Sequence, residues 1–249
     1  MRIEGSSERK RALPSLARRV IHRITSSLRV AEPDREVLEA LKETLLGLHQ
    51  ETCRLLSTTR GPTAEEKKAL EDMGFIFLAT EAKSLDQVEK ENPGAFHYIG
   101  RFDGLESYIP PAITVAINPK ELFIPKSSNK PLLDQYAMIE KQSQLIQKKI
   151  PDARVVMLPA STVIQLTLIY AKTVKGRLFK THFARTLDQD GTSTTHIGES
   201  EGGIIVHNWL HCSSGNENVG ALSTIVLVKN NEKSPQVQPE MLQTLQSPK

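Results

Sequence analysis

The sequence predicts an α+β fold, in which an N-terminal helical segment precedes a mixed α+β domain whose strands concentrate toward the C-terminus. Two observations predict this class. Apolar residues recur at helical spacing mainly in the earlier part of the chain, whereas short β-type runs separated by turns dominate beyond Gly176. All twelve aromatic residues lie between Phe75 and Trp209, and because aromatic rings dominate core burial, the main core is expected within about residues 75–229.

Changes in composition divide the chain into four predicted parts. They are a basic amphipathic arm (1–31), a helical hairpin (32–74), an α+β core domain (75–229) and a disordered polar tail (230–249). A Gly-Pro pair at 61–62 separates the two helices of the hairpin, and Gly74 ends the second of them. The tail is polar and contains three prolines, so we do not expect it to bury a core.

The first half of the chain contains the clearest helix signals. Apolar residues of segment 13–28 gather on one side of a helical wheel and arginines on the other, which is typical of a basic amphipathic helix. A second helix is expected at about 34–56. Thr63 with Glu66 has the spacing of a capping box, which predicts a short third helix.

Further helices are predicted within the core domain. Ser84 with Gln87 indicates another capped helix. A strong apolar stripe begins after Pro131 and stops at Pro151, as expected for the longest helix of this domain. Segment 161–175 is also predicted to be helical and to end at a glycine.

Runs rich in β-branched and aromatic residues predict the strands. They cover residues 75–79, 112–117, 122–124, 155–158, 178–187, 194–197, 204–209 and 222–228. An Asp-Gly pair at 190–191 lies between two of these runs, which indicates a hairpin turn there.

Charge is distributed unevenly along the chain. Residues 1–31 carry eight basic side chains against two acids, a net of +6, whereas the remaining 218 residues carry a net of −3. The arm is therefore expected to contact an anionic partner, either nucleic acid or an acidic protein surface. The basic residues assigned to that contact are Arg9, Lys10, Arg11, Arg18, Arg19, Arg23 and Arg29.

Other roles for the arm stay open at this point. Its apolar stripe suits an anionic membrane surface, and its arginines and serines suit a targeting peptide. The same stripe would also suit docking on the 32–74 hairpin, with the arginines exposed. Because no aromatic residue interleaves with its charges, the arm lacks the stacking platform of single-strand binders.

One short motif indicates a chemistry. Residues 198–202, Gly-Glu-Ser-Glu-Gly, match G-x-S-x-G, and the stretch resembles the region around the active serine of carboxylesterases. The resemblance implies Ser200 as nucleophile and His207 or His211 as its base. The following Ile-Ile-Val run predicts a strand where a hydrolase elbow enters a helix, so the same residues also indicate a glycine-rich hairpin turn.

Metal and cofactor sites are not predicted. The histidines of the last third are His182, His196, His207 and His211, and Cys212 adjoins the last of them. On a strand, however, the Cα atoms of His207 and His211 are about 13 Å apart, too far to share a zinc ion. Glycine-rich phosphate-binding patterns are missing from the sequence, so no nucleotide cofactor is predicted.

The cysteine content and the length of the apolar runs indicate where the protein is located. Two cysteines far apart in sequence are interpreted as reduced thiols, and the sequence has no apolar run of membrane-spanning length. We therefore predict a cytoplasmic protein, and its oligomeric state stays open.

The leading functional hypothesis is a non-enzymatic binding or interaction protein whose basic N-terminal helix contacts an acidic partner, with nucleic acid as the first choice. Two alternatives remain: a serine esterase-type hydrolase that uses Ser200, and a structural or assembly component that uses the amphipathic helix as an association surface.

Overall fold

The structure, a computed structural model, describes residues 35–100, 107–190 and 192–229. Within these ranges it contains five helices and two sheets with ten strands, mostly in the C-terminal half, so the predicted α+β class is confirmed. The helices are α1 (Arg35–Ser57), α2 (Ala64–Asp72), α3 (Leu85–Glu91), α4 (Leu132–Gln147) and α5 (Ala160–Val174). The strands are β1 (Thr59–Arg60), β2 (Ile76–Ala79), β3 (Phe96–Ile99), β4 (Thr114–Ile117), β5 (Ala153–Val155), β6 (Phe183–Asp190), β7 (Ser193–Ser200), β8 (Gly203–His211), β9 (Val219–Gly220) and β10 (Ile225–Val228).

The first sheet is antiparallel and is organised around β10. Ile225 pairs with both Ala116 and Val155, so β4 and β5 lie on opposite sides of that strand. Strand β2 pairs with β4 at the edge, and β1 pairs with the far end of β10. The four residues of β10 are all buried, as expected for a central strand.

The second sheet has the order β3-β8-β7-β6-β9. Its three central strands form two antiparallel hairpins, and its outer strands β3 and β9 pair in parallel with β8 and β6. Strands β6 and β7 pair as the predicted hairpin requires, with Asp190 opposite Ser193, whereas Gly191 of the predicted turn lies outside the described residues. Because β3 precedes β8 by about a hundred residues in the chain, this sheet unites distant segments.

Helix α5 packs between the sheets, against β2 of the first and β6 and β7 of the second. It contributes Val163 to a buried cluster that also contains Val115 and Ile197. A second cluster lies under α4 and includes Ile139 and Leu227. The first cluster therefore packs on one face of the second sheet.

The 32–74 segment packs into these same clusters. Leu56 of α1 belongs to the first cluster, and Leu70 of α2 belongs to the second. Arg60 in β1 also links this segment to the core domain, since its Nη2 lies 2.6 Å from Asp152 Oδ2 and 2.6 Å from Glu66 Oε1. The domain boundary at residue 74 stays a prediction.

Local capping signals in the sequence correspond to helix starts. Both predicted capping boxes are confirmed, Thr63 with Glu66 before α2 and Ser84 with Gln87 before α3. Helix α5 instead begins without a cap from its own segment. The carboxylate of Asp188 in β6 accepts the N–H of Ala160, so a distant strand supplies the anion at this helix N-terminus.

Several predicted strands differ from the structure. Of the strand predicted at 155–158 only Val155 lies in β5, and the strand predicted at 222–228 begins at Ile225. Residues 122–124 form only an isolated bridge, between Phe123 and Leu222, and the strand predicted at 178–187 begins at Phe183. Phe179 is buried, and its N–H donates to the Glu199 carboxylate rather than to a neighbouring strand, which keeps the preceding residues out of the sheet. The parallel edge strand β3 was not predicted.

Several predictions lie outside the described residues, namely the basic arm at 1–31 and the polar tail at 230–249. Within the described ranges, no helix is both long enough and apolar enough to cross a bilayer. Cys53 and Cys212 are both free thiols.

Candidate functional site

The central strands of the second sheet direct alternate side chains to two faces, one packed on the first core cluster and the other, which we call the open face, exposed at Tyr98 and Trp209. Ala184, Ile197 and Val206 are paired across β6, β7 and β8, and all three belong to the first core cluster. Their sequence neighbours Arg185, His196 and His207 are likewise paired, so these side chains lie on the opposite face.

Five aromatic or imidazole rings from four adjacent strands lie together on this open face. We call them the aromatic face: Tyr98 (β3), Phe183 (β6), His196 (β7), His207 and Trp209 (β8). His207 is central, with ring centroids 5.2 Å from Tyr98, 5.3 Å from His196 and 5.7 Å from Phe183. Trp209 meets His196 edge-on at 5.2 Å. The spacings are those of interacting aromatic pairs.

The outer rings of this cluster are open to solvent. Trp209 is 58% exposed and Tyr98 is 51% exposed, although large aromatic side chains are usually buried to a greater extent. His196 beneath them is only 1% exposed. Exposed aromatic groups over a closely packed base are typical of a binding surface rather than of an isolated surface residue.

Gly198 permits the close packing of Phe183 on the sheet. A Cβ atom at Gly198 would lie 2.5 Å from Phe183 Cδ1, well inside van der Waals contact. The missing side chain therefore leaves room for the phenyl ring, which in turn reaches His196 with a centroid distance of 5.6 Å. The motif glycine that matched a hydrolase elbow thus has a packing role.

Arg185 lies beside His196 on the same face and is 1% exposed. Its Nη2 donates to the Ser214 carbonyl at 3.1 Å, while Nε and Nη1 are buried without a hydrogen-bond partner. Burial lowers the pKa of Arg185 to about 10, so the guanidinium is still charged at neutral pH. A buried cation with two donors that have no hydrogen-bond partner lowers the stability of the fold.

His196 is neutral at physiological pH. Burial, followed by the nearby His207, lowers the pKa of His196 to about 4. Its Nδ1 is buried and has no hydrogen-bond partner. Together with Arg185, His196 therefore leaves unused polar atoms under the exposed rings.

Ser200, proposed from the hydrolase motif, is the last residue of β7 and pairs with Gly203 at the start of β8. Its hydroxyl donates to the Gly203 carbonyl at 3.4 Å and accepts the Gly202 N–H at 3.2 Å. His207 is four residues beyond Gly203 on β8, about 13 Å along the strand. The motif runs from strand to strand, so the alternative expectation of a hairpin turn is confirmed.

A fluorophosphonate probe tests the esterase alternative. We expect no labelling of Ser200, because the hydroxyl bonds to its own turn and His207 lies too far along β8 to remove its proton. Intact-protein mass spectrometry checks this. Labelling that disappears in both Ser200→Ala and His207→Ala would contradict the expectation.

The other sequence-selected histidines are dispersed. His182 packs on Phe123 with a centroid distance of 5.6 Å, and His211 Nδ1 lies 2.6 Å from Ser213 Oγ. In the part of the chain that the structure describes, no group of three or more His, Cys, Asp or Glu side chains is placed to hold a metal ion. The seven basic residues of the arm lie outside that part.

Comparisons with protein-family models, with curated proteins and with solved structures find no match for this chain. The aromatic face was missed by the sequence analysis, which considered His207 only as a base or a metal ligand. Alternation of His207 with Trp209 in a strand was the available signal, since it places both rings on one face.

Proposed function

We propose that this protein is a non-enzymatic binding protein for single-stranded nucleic acid, and that the aromatic face receives the bases. The observation that carries the proposal is the exposure of Trp209 and Tyr98 on an open sheet face, with His207 between them. Every nucleobase has a π-face, so exposed rings on a sheet bind single strands with little sequence preference.

The dimensions of the face support this ligand. Its rings come from four neighbouring strands, β3, β8, β7 and β6, which span about 14 Å at the usual strand separation. That width accommodates roughly two or three unstacked nucleotides. A duplex, whose bases are already stacked on one another, cannot present them to the rings.

Charge supplies the second requirement, contact with phosphate. Arg185 holds a buried positive charge on the face that carries the rings, which favours an anionic ligand at that face. The predicted basic arm, with Arg18, Arg19 and Arg23 among its cations, would add phosphate contacts that are independent of sequence. An acidic protein surface as the partner, and a cytoplasmic location, stay predictions.

A titration of a fluorescein-labelled (dT)₁₂ oligonucleotide tests the proposal. Trp209→Ala is expected to weaken binding about tenfold, since one base–aromatic stack contributes roughly 1–3 kcal/mol. Leu145→Ala, an exposed apolar residue on α4 that is 49% exposed, is the matched control and should leave the affinity unchanged. Fluorescence anisotropy measures both.

The chain's single tryptophan offers a direct second readout. Stacking of a base on Trp209 is expected to quench its intrinsic emission, and a duplex of the same length should not. Equal affinity of Trp209→Ala and the parent protein, without quenching, would contradict the proposal. A loss of self-association in that variant, without any effect on the oligonucleotide, would instead identify the face as a protein interface and overturn it.

Removal of residues 1–31 separates the two contributions. We expect the truncated protein to bind more weakly and with a shallower salt dependence, because each lost phosphate contact reduces the slope by about 0.7 for a single strand. Tryptophan quenching at saturation should persist. If the truncated protein binds the oligonucleotide as tightly as the full chain, the arm does not contact the ligand. The Trp209→Ala measurement tests the aromatic face independently of that result.

A further inference from the structure

A second cluster of chemically capable side chains lies away from the aromatic face. His49 and Cys53 are one helical turn apart on α1, so they lie on the same side of that helix. Tyr108 and Asp188 approach them from other elements. His49, Cys53 and Tyr108 are all partly exposed, so small molecules in solution can reach the thiol.

Hydrogen bonds orient the groups around the sulfur. Cys53 Sγ lies 3.3 Å from the Tyr108 hydroxyl, which can donate to a thiolate. His49 Nδ1 lies 3.4 Å from the Leu187 carbonyl oxygen. Because a carbonyl only accepts, Nδ1 carries the proton in neutral His49, and Nε2 is the ring's acceptor.

The environment favours transfer of the thiol proton to His49. Hydrogen bonding with His49 lowers the pKa of Cys53, against the effect of burial, and bonding to Tyr108 lowers it further. The same interaction with Cys53 raises the pKa of His49, and Asp188 acts in that direction too. Among the residues that the structure describes, Tyr136 is a further titratable group near the thiol. Asp188 itself is held by the N–H of Ala160 at the start of α5.

We propose that Cys53 is a covalent modification site, a thiol that lies beside His49 and the Tyr108 hydroxyl and reacts, through its thiolate, with peroxides and other small soft electrophiles. The thiolate is the reactive form of cysteine, and partly exposed cysteines beside a histidine are those most readily oxidised.

The reaction with hydrogen peroxide balances with the groups at this site. The Cys53 thiolate attacks one peroxide oxygen, an S–O bond forms and the O–O bond breaks. Sulfur is oxidised by two electrons and the peroxide is reduced by two. The departing hydroxide takes the proton of the His49 imidazolium and leaves as water, and Cys53 becomes a sulfenic acid.

Cys212 provides an internal control in the same chain. It is buried in the second core cluster, and burial raises its pKa. Buried thiols of this kind are inert, so the two cysteines of the protein should differ strongly in rate.

The first test is the alkylation rate of each cysteine by iodoacetamide at pH 6.5–8, followed by peptide mass spectrometry on the full chain. We expect Cys53 to react at least tenfold faster than Cys212 at pH 7. Its rate should also stay high at pH values below the pKa of ordinary thiols. His49→Gln should slow Cys53 roughly three- to tenfold at pH 7, because less thiolate forms, and Tyr108→Phe should slow it less.

The second test treats the protein with hydrogen peroxide in the presence of dimedone, which traps sulfenic acids. The adduct should form on Cys53, disappear in Cys53→Ser and decrease in His49→Gln. Thermal unfolding confirms that each variant is folded. Equal alkylation rates at Cys53 and Cys212, an unchanged rate in folded His49→Gln, or no trapped adduct at Cys53 would each overturn the proposal. None of these outcomes bears on Trp209 or the oligonucleotide.

Discussion

Arg185→Met is expected to raise the free energy of unfolding by about 2 kcal/mol and to weaken oligonucleotide binding about tenfold, because it removes a buried positive charge from the face that carries the rings. Arg185 is 1% exposed, and two of its three guanidinium nitrogens have no hydrogen-bond partner. Methionine has a similar length and no charge to desolvate, so the folded protein gains stability from the change. Binding weakens because the positive charge that attracts phosphate to this face is removed.

Thermal and urea unfolding measure the first effect, and the melting temperature should rise by about 6 °C for a protein of this size. Arg185→Lys is the matched control. It keeps the positive charge, so it should keep the affinity of the parent protein without gaining stability. A destabilised Arg185→Met protein would show that the bond to Ser214 matters more than the unpaired nitrogens, and would contradict a ligand-binding role.

Acid is expected to destabilise the protein through His196, by at most about 3 kcal/mol between pH 6.5 and pH 4. The folded protein has a His196 pKa of about 4, because burial and His207 oppose its protonation. The unfolded chain takes up the proton near pH 6.5, so below that pH it binds more protons than the folded state. Stability is therefore full above pH 6.5 and falls as the pH approaches 4.

The free energy of urea unfolding, measured at half-unit steps from pH 7 to pH 4, tests this expectation. As the pH falls, the free energy of unfolding should decline less steeply in His196→Gln than in the parent protein. The reason is that the variant takes up nearly one proton fewer on unfolding. Burial also lowers the pKa of His207 and His211, but both residues are present in the two proteins and largely cancel in the comparison. Parallel curves for the two proteins would contradict the assignment of a neutral, buried His196.

Many of the elements could be predicted because their signals are local. The capping pairs Thr63–Glu66 and Ser84–Gln87 involve atoms three residues apart, and each marks a helix start in the structure. The turn that contains Gly202 was recognised as a hairpin because the apolar run after it favours a strand. The strand error at 178–182 arose from a contact across the fold, the Glu199 carboxylate bound to the Phe179 N–H.

The site was much less predictable than the elements. His207 was selected by residue type, but Trp209 beside it was considered only as a core group, whereas it is the most exposed ring of the aromatic face. Tyr98 lies in a strand that was not predicted. Arg185 resembled any other arginine, because its burial and its unpaired nitrogens exist only after β6, β7 and β8 have assembled.

The amino-acid sequence alone determined the α+β class, the main helices, the capped helix starts and the β7–β8 turn, since each depends on residues within a few positions of one another. Only the tertiary structure decided that β3 pairs in parallel with β8, which brings Tyr98 against His207 across more than a hundred residues of chain. Pairing between distant strands depends on which apolar faces can be buried together and on which backbone groups remain to be bonded. The tertiary structure also decided which side chains were removed from water. It thereby left Arg185 charged and buried, with two nitrogens that have no hydrogen-bond partner.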